Sequence, residues 1–291
     1  METIKNPIEY TGATLASAAH GLASTYHSLQ HVQETIHSPP PSVRRIELSD
    51  LRDAIAKGFE DFGAYRSDVL FLGAIYAVVG VVLARLAFGL DLLPLVFPLA
   101  SGFALIGPFA AVGLYEMSRR REKGLNVSWA NAVDISHSPA FGAILVLGAI
   151  LIVIFLLWLY AAWLIFAHTI GPAEPASVSA FLRDVFFTDA GHAMIAVGIA
   201  VGLAFAVVAM AISIVSFPLL LDRDVGLDTA IGTSVRAVIA NTAPMAVWGL
   251  IVAAGLVLGS IPLFIGLVVV LPVLGHATWH LYRKVVEPVP A

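Results

Sequence analysis

The chain has 291 residues, of which 59% are hydrophobic and 12% are charged, so it is too apolar for a water-soluble domain. It contains no cysteine, which excludes disulfides, thiolate metal sites and cysteine nucleophiles. The formal net charge of −4 carries little information, because in a membrane protein the placement of Lys and Arg matters more than their sum. We therefore expect the lipid bilayer, and not a nucleic acid, to be the main partner.

The first predicted element is a cytoplasmic arm over residues 1–47. Within 11–37, apolar residues that recur every seven positions predict a short amphipathic helix: Leu15, Leu22, Leu29 and Ile36. Three histidines fall on its opposite face: His20, His27 and His31. A tail that folds against lipid or protein is favoured over a metal site or pH sensor, because no carboxylate supports the imidazoles. The Pro-rich run 38–42 predicts a stiff, extended spacer.

Apolar runs long enough to cross the ~30 Å of a bilayer's hydrocarbon follow this arm. They begin near Leu70, Leu92, Ala140, Gly191, Ala243 and Ile261. We expect an all-α, polytopic membrane protein whose six transmembrane helices lie in a domain over residues 48–285, with a short cytoplasmic tail at 286–291. The turn at 259–262 is so short that the last two helices must form an antiparallel hairpin.

The basic residues are distributed very unevenly about these spans. Fourteen of the sixteen Lys and Arg residues lie before the first span, after the second, between the fourth and fifth, or after the sixth. Only Arg85 and Arg183 fall on the other side. The positive-inside rule therefore predicts that both termini are cytoplasmic.

A polar and apolar segment precedes each pair of spans, and the three segments cover 48–66, 127–138 and 227–241. The first and third align at a constant offset with the following matches: Leu51 with Leu227, Ala54 with Ala230, Ile55 with Ile231, and Ala64 with Ala240. The middle segment begins in the same way as the third, after a shared Arg-x-x-Gly-Leu pattern. We interpret the chain as three repeats of an interfacial helix plus a transmembrane hairpin.

Small residues and prolines mark the spans. Two GxxxG spacings predict close helix packing, within the chain or in a homodimer: Gly198 with Gly202, and Gly255 with Gly259. The second helix of each pair carries one proline in its cytoplasmic half: Pro108, Pro218 and Pro272. Such a proline leaves one backbone carbonyl without its helical hydrogen bond. Neighbouring helices commonly donate to that carbonyl, whereas in a broken, substrate-binding helix it is available to a ligand.

Motifs for common chemistry are absent from the sequence. It contains no phosphate-binding glycine loop, HExxH, GxSxG or paired intramembrane carboxylate, so we do not expect an enzyme. We interpret the run Asp222-Arg223-Asp224 first as a capped, solvated helix end and only second as a ligand site.

The end of the last span, VLGHATWHLYRK at 273–284, holds the weak candidates for a cofactor site, His276 and His280. An i, i+4 histidine pair can chelate one metal but is poorly placed to bind both faces of one haem. Trp279 and Tyr282, with the basic pair after them, instead indicate an aromatic and basic belt at the cytoplasmic interface. The nearby helix offers only Thr278 as a partner for the imidazoles, so we expect anchoring histidines and no cofactor or tightly bound metal.

Three runs, at 103–124, 216–250 and 271–284, resemble the bacterial family of predicted integral membrane proteins known as domain of unknown function 2189. The resemblance covers roughly 45 to 285 and implies an inner-membrane location without an assigned activity. Some members are labelled as similar to a cytochrome c oxidase subunit. A haem-copper catalytic subunit needs about twelve spans and six buried histidine ligands, so the label implies at most an accessory or assembly partner here.

Three classes of function remain open. The absence of catalytic motifs favours a non-enzymatic accessory or scaffold protein, whose expected partner is another membrane protein or a second copy of the chain. The glycine and proline content suits a small-solute or lipid transporter, although the spans lack buried charge for an ionic substrate. A metal- or haem-binding protein rests on His276 and His280 alone.

Overall fold

The computed structural model describes residues 38–64, 80–81, 93–127, 138–173, 175–262 and 265–288. Their secondary structure is helical, apart from connecting segments and one isolated backbone pairing. The α-helices are α1 Leu48–Ala64, α2 Val96–Ala110, α3 Val112–Glu122, α4 Phe141–Thr169, α5 Val178–Phe187, α6 Asp189–Ser213, α7 Ser216–Asp222, α8 Leu227–Ala240, α9 Thr242–Ser260 and α10 Leu267–Val285. A short 3₁₀ turn at Leu93–Leu95 directly precedes α2.

Four helical stretches are long and apolar enough to cross a membrane: Leu93–Glu122, Phe141–Thr169, Asp189–Asp222 and Thr242–Ser260. The protein is therefore an all-helical membrane protein, as the composition predicts. The predicted first span, most of the middle interfacial segment and the amphipathic arm at 11–37 lie outside the described residues. The predicted sixth span falls on α10, which is not among these four stretches, so the count of six spans and the threefold repeat stay predictions.

Two of the candidate spans are interrupted near the end that carries basic residues. The helix breaks at Ala111, between α2 and α3, and again at 214–215, between α6 and α7. Pro108 lies three residues before the first break and Pro218 just after the second. Because proline lacks an N–H and its ring crowds the preceding turn, Pro218 gives the break at 214–215 a local cause.

The core between the spans consists of large apolar side chains from α2, α4 and α6. Leu147 and Leu151 of α4 are fully buried. Trp158, on the same helix, donates from Nε1 to the Pro98 carbonyl at 3.1 Å, which satisfies its only polar atom inside the core. Phe109 and Phe217 pack with ring centroids 6.1 Å apart, so α2 and α7 are in contact beneath the helix breaks.

At the basic end, α1 lies across α10, and the segment before α1 meets the segment after α10. Residues 38–46, here named the amino-terminal strap, lie outside the helices. Val43 and Val286 pair in an antiparallel bridge, and the Arg44 N–H donates to the Val285 carbonyl at 2.7 Å. The strap therefore fixes the backbone just before α1 to the backbone just after α10.

The connection between α4 and α6 contains a helix of its own, α5. Ser177 caps it by accepting a hydrogen bond from the Ala180 N–H, and Thr188 caps α6 by accepting from the Gly191 N–H. Phe181 packs its ring on Phe166 of α4, with centroids 6.3 Å apart. The helix α5 therefore packs against α4 and the start of α6.

Candidate functional site

A buried carboxylate joins three helices at the basic end of the bundle. The Asp61 side chain, from the last turn of α1, is 5% exposed. Its Oδ2 accepts hydrogen bonds from Ser118 Oγ of α3 at 2.5 Å and from His280 Nε2 of α10 at 2.8 Å. Its Oδ1 accepts from Arg121 Nη1 of α3 at 2.5 Å. These four residues and His276 form what we name the Asp61 cluster.

The hydrogen positions in this cluster follow from its chemistry. A carboxylate only accepts, so Ser118 must donate its single hydroxyl hydrogen to Asp61. The contact of 2.7 Å between Ser118 Oγ and His276 Nδ1 then requires Nδ1 to carry a proton and to donate it to Ser118. His276 is fully buried. A chain of hydrogen bonds therefore runs from His276 through Ser118 to Asp61.

Asp61 stays ionised at neutral pH in spite of its burial. Burial raises its pKa, but the hydrogen bonds from His280 and Ser118 outweigh that effect and hold the pKa at about 2. Arg121, whose side chain is 36% exposed, neutralises the carboxylate from the solvent side. The cluster is thus a charge-assisted link between α1 and the ends of two other helices.

A second group of polar side chains, the Arg283 cluster, joins the ends of α3, α7 and α10. Arg283 donates from Nε to Glu122 Oε1 at 2.9 Å and from Nη1 to Asp222 Oδ2 at 3.2 Å. Trp279 Nε1 donates to Glu122 at 3.0 Å, and Tyr282 OH donates to Asp222 at 2.8 Å. Donors from α10 therefore bind one carboxylate at the end of α3 and one at the end of α7, and so hold the three helix ends together.

Two expectations from the sequence are wrong at this point. Trp279 and Tyr282 are each 1% exposed, so they do not form an interfacial aromatic belt but face the bundle, where their polar atoms have carboxylate partners. The side chain of Asp222 is only 11% exposed, so it is not a solvated helix end. Both residues of the histidine pair also have a carboxylate nearby, because Asp61 reaches them from α1.

The two clusters line an open cavity of about 420 Å³. Within the described ranges, no group of three or more His, Asp or Glu side chains lies in an arrangement that could hold a metal ion. His276 and His280 direct Nδ1 and Nε2 to different partners, Ser118 and Asp61. Their predicted anchoring role stays a prediction, and their setting shows that they link helices.

The cluster contains serine, histidine and aspartate, but its connections differ from those of a nucleophilic triad. In such a triad the carboxylate orients the imidazole and the imidazole accepts the serine proton. Here Asp61 accepts the proton of Ser118 directly, and His276 Nδ1 lies 3.9 Å from the carboxylate. Ser118 is also only 1% exposed, so its hydroxyl is a structural donor.

The predicted packing glycines lie in different surroundings. A Cβ at Gly202 would meet the ring of Trp158 at 3.0 Å, and one at Gly255 would meet Val270 at 3.2 Å. A Cβ at Gly259 would lie 3.2 Å from the backbone nitrogen of Leu267, at the turn into α10. Gly198 has nothing within 4 Å of the corresponding position. Three of the four glycines thus face helices of the same chain, and the fourth faces open space.

The matched part of the chain begins at α2 and ends with α7. Residues 96–222 match the family model DUF2189. The DUF2189 family is described as predicted integral membrane protein, which confirms over this segment the resemblance inferred from the sequence. No curated protein and no solved structure matches the chain. The DUF2189 match includes Ser118 and Arg121 but leaves α1 and α10, which supply Asp61 and both histidines, outside it.

Sequence reasoning missed Asp61, Ser118 and Arg121 as members of one site. The available signal was the position of Asp61 on the apolar face of α1, in line with the buried residues Ala54 and Gly58. A carboxylate on such a face requires a buried partner, because an unpaired buried charge is strongly unfavourable. The identity of that partner was not accessible, since 219 residues separate Asp61 from His280.

Proposed function

We propose that this protein is a bacterial inner-membrane protein with six spans and cytoplasmic termini, and that it acts without catalysis as an accessory or scaffold for other membrane proteins. A respiratory oxidase is the candidate partner that the family resemblance suggests. The supporting observation is the use of the polar groups. Ser118, His276 and Asp61, the residues best suited to chemistry, are buried and bonded to one another across helices.

The packing of α1 and α8 supports the threefold repeat, on which the proposed six-span architecture rests. At an offset of 176, three buried positions coincide: Ala54 with Ala230, Gly58 with Ser234, and Asp61 with Ala237. The helix α8 packs on α6 and α7, which in the repeat form the second span of the preceding unit. The helix α1 packs on α10, the second span of the last unit. The same docking in both places favours a closed ring of three units.

The surface of the Asp189–Asp222 span supports a scaffolding role. It is the least buried of the four candidate spans. It presents the following exposed apolar side chains: Val197, Ile199, Leu203, Val207 and Val208. Gly198 lies one turn before Gly202 on the half-buried face of this helix, and nothing lies within 4 Å of a Cβ there. Small residues allow close backbone approach between helices in lipid, so this face suits a transmembrane helix of another protein.

Affinity purification from native membranes in a mild detergent tests the proposal. We expect a membrane protein to co-purify in a fixed ratio with the native chain. A Gly198→Phe variant should lose that protein, because the ring fills the open space that a partner helix would enter. The matched control is Leu156→Phe, which adds a ring at an exposed position of α4.

Three other results would contradict the scaffold role or the proposed binding face. Stoichiometric haem or metal that disappears when His276 and His280 are replaced would make this a cofactor protein. Transport of a solute into proteoliposomes that contain only this chain would make it a transporter. Equal loss of the partner in the Gly198→Phe and Leu156→Phe variants would remove α6 as the binding face.

A further inference from the structure

A second open cavity, of about 510 Å³, lies between the amino-terminal strap and the end of α8. Its walls are mainly apolar and come from Pro40, Pro41, Val43, Ile239 and Ala240. Arg236 is the cation on its lining. The volume lies within the range of about 300 to 1,000 Å³ that is usual for small-molecule sites. An apolar cleft with one cation suits a ligand that is both apolar and anionic.

Arg236 differs from the basic residues of the two clusters. Its Nη2 donates to the Thr233 hydroxyl at 3.1 Å, one turn back on α8. No carboxylate of the described residues lies within ion-pair distance of it, whereas Arg121 and Arg283 each have carboxylate partners. A guanidinium has five N–H donors and binds phosphate in a bidentate manner. Arg236 therefore retains donors for an anion in the cleft.

The opposite wall is suited to contact with hydrocarbon. An extended backbone in lipid normally leaves N–H groups without partners, and each such group costs several kcal/mol. Pro40 and Pro41 have no N–H, so this part of the strap lacks that cost.

The strap is also fixed at both ends. Ser38 accepts from the Gly226 N–H through its side chain and from the Thr229 hydroxyl through its carbonyl, both at 2.8 Å. Val43 pairs with Val286. The cleft is therefore preformed, and a ligand need not order its walls.

The position of the cleft points to the membrane as the source of its ligand. The helix α8 ends at Ala240, and the candidate span α9 begins at Thr242. Ile239, at the cleft, and Leu250, on α9, are each 70% exposed, so apolar surface continues from the cleft along the span. A lipid that reaches the cleft thus needs no passage through water.

We propose that this cleft binds one anionic phospholipid, with the phosphodiester on Arg236 and the first part of an acyl chain along the proline wall. The proposal requires α9 to span the membrane but does not depend on a scaffolding role. Free inorganic phosphate has no apolar part to occupy the proline wall. The site therefore selects lipid over soluble phosphate by the shape and polarity of its walls.

Native mass spectrometry of the delipidated full chain, titrated with phosphatidylglycerol or phosphatidylcholine, tests the proposal. We expect the first phosphatidylglycerol to bind more tightly than the first phosphatidylcholine. In an Arg236→Gln variant this preference should fall by about fivefold, the effect of one basic side chain at an anionic lipid. Ala240→Phe, which fills the cleft and keeps Arg236, should weaken binding of both lipids.

Arg52→Gln is the matched control, because Arg52 is an exposed arginine of α1 outside the cleft lining. It should leave both affinities unchanged, and millimolar inorganic phosphate should not displace the lipid. The proposal is overturned if Arg236→Gln keeps the native preference, if Arg52→Gln loses it equally, or if inorganic phosphate competes. Should Arg236→Gln not fold, Arg236→Lys keeps the charge and should still lower the preference, since Lys lacks the bidentate geometry.

Discussion

Asp61 shows how one buried charge defines a junction of helices. Its carboxylate is removed from water, which is costly unless donors replace the lost hydration. Ser118, Arg121 and His280 replace it from two other helices. Each of these bonds has a charged acceptor, and such bonds contribute about 1.5 to 3 kcal/mol, more than neutral ones. Removing the charge therefore weakens three contacts at once.

Replacing Asp61 by Asn should lower the free energy of unfolding by about 2 to 3 kcal/mol. This is less than the 3 to 5 kcal/mol, roughly, of breaking a fully buried ion pair, because Arg121 remains partly solvated. Asp53→Asn is the control, since Asp53 also binds α10, through Lys284, but from an exposed position. Denaturation in mixed micelles, followed by helicity, measures both. Equal stability of the two variants would mean that the buried cluster adds nothing.

The Asp61 pKa predicts a dependence of stability on acid. The pKa is about 2 in the folded protein and 3.8 for a free aspartate, so the unfolded chain binds the proton more readily. The stabilisation is complete above about pH 4 and is lost as the pH falls towards 2; it amounts to on the order of 2 kcal/mol. Acid titration of the unfolding midpoint should show this loss in the native chain.

The Asp61→Asn variant supplies the reference for that titration. It should show a shallower loss between pH 4 and 2. Some slope should remain, because the Glu47 N–H and Lys284 also lower the pKa of Asp50 by hydrogen bonding to it. A variant with the same slope as the native chain would assign the acid sensitivity to groups outside the Asp61 cluster.

Among the elements, α1 depends on one glycine for its contact with α10. A Cβ built on Gly58 would lie 2.7 Å from the Val273 carbonyl oxygen and 2.8 Å from Ala277 Cβ. Both neighbours belong to the same helix surface, and the carbonyl oxygen is backbone that cannot rotate away. The two helices therefore approach as closely as they do because position 58 has no side chain.

Gly58→Leu should detach α1 from α10, whereas Gly63→Leu should not. Nothing lies within 4 Å of a Cβ at Gly63, and both changes replace Gly with a better helix former, so rapid exchange in Gly58→Leu alone reports the packing. Hydrogen exchange in nanodiscs measures it. Amides of 48–64 should exchange rapidly in Gly58→Leu and remain protected in Gly63→Leu. Protection in both variants would contradict this account of the crossing.

The positions of helices α1 and α8 could be predicted from the sequence, but their packing partners could not. The segments 48–66 and 227–241 were predicted as helices from the alternation of polar and apolar residues, and α1 and α8 occupy them. The partner of each helix was not predicted, because periodicity reports which face is buried and not against what. That is why His280 could be assigned to an interface without reference to Asp61. A contact over 219 residues leaves no local pattern.

At the scale of the whole molecule, the polar bonds are concentrated at one end. The Asp61 cluster, the Arg283 cluster and the pairing of Val43 with Val286 all lie where the basic residues gather. The basic residues that the positive-inside rule counts are also the donors that hold the helix ends together. Arg121, Arg283 and Lys284 thus hold helix ends together, and the positive-inside rule predicts that they also favour a cytoplasmic location of this end.

The orientation of the protein in the membrane can be tested directly by cysteine labelling, because the chain contains no cysteine. Fourteen of the sixteen basic residues lie on one side of the predicted spans, so that side should face the cytoplasm. Ser179 of α5 and Ser49 of α1 are both exposed and lie on opposite sides. A membrane-impermeant maleimide added to cells with a permeabilised outer membrane should label Ser179→Cys directly. It should label Ser49→Cys only after the inner membrane is opened, since the Asp61 cluster holds α1 against the basic ends of α3 and α10. The reverse pattern would place the basic residues outside, and with them both clusters and the lipid cleft.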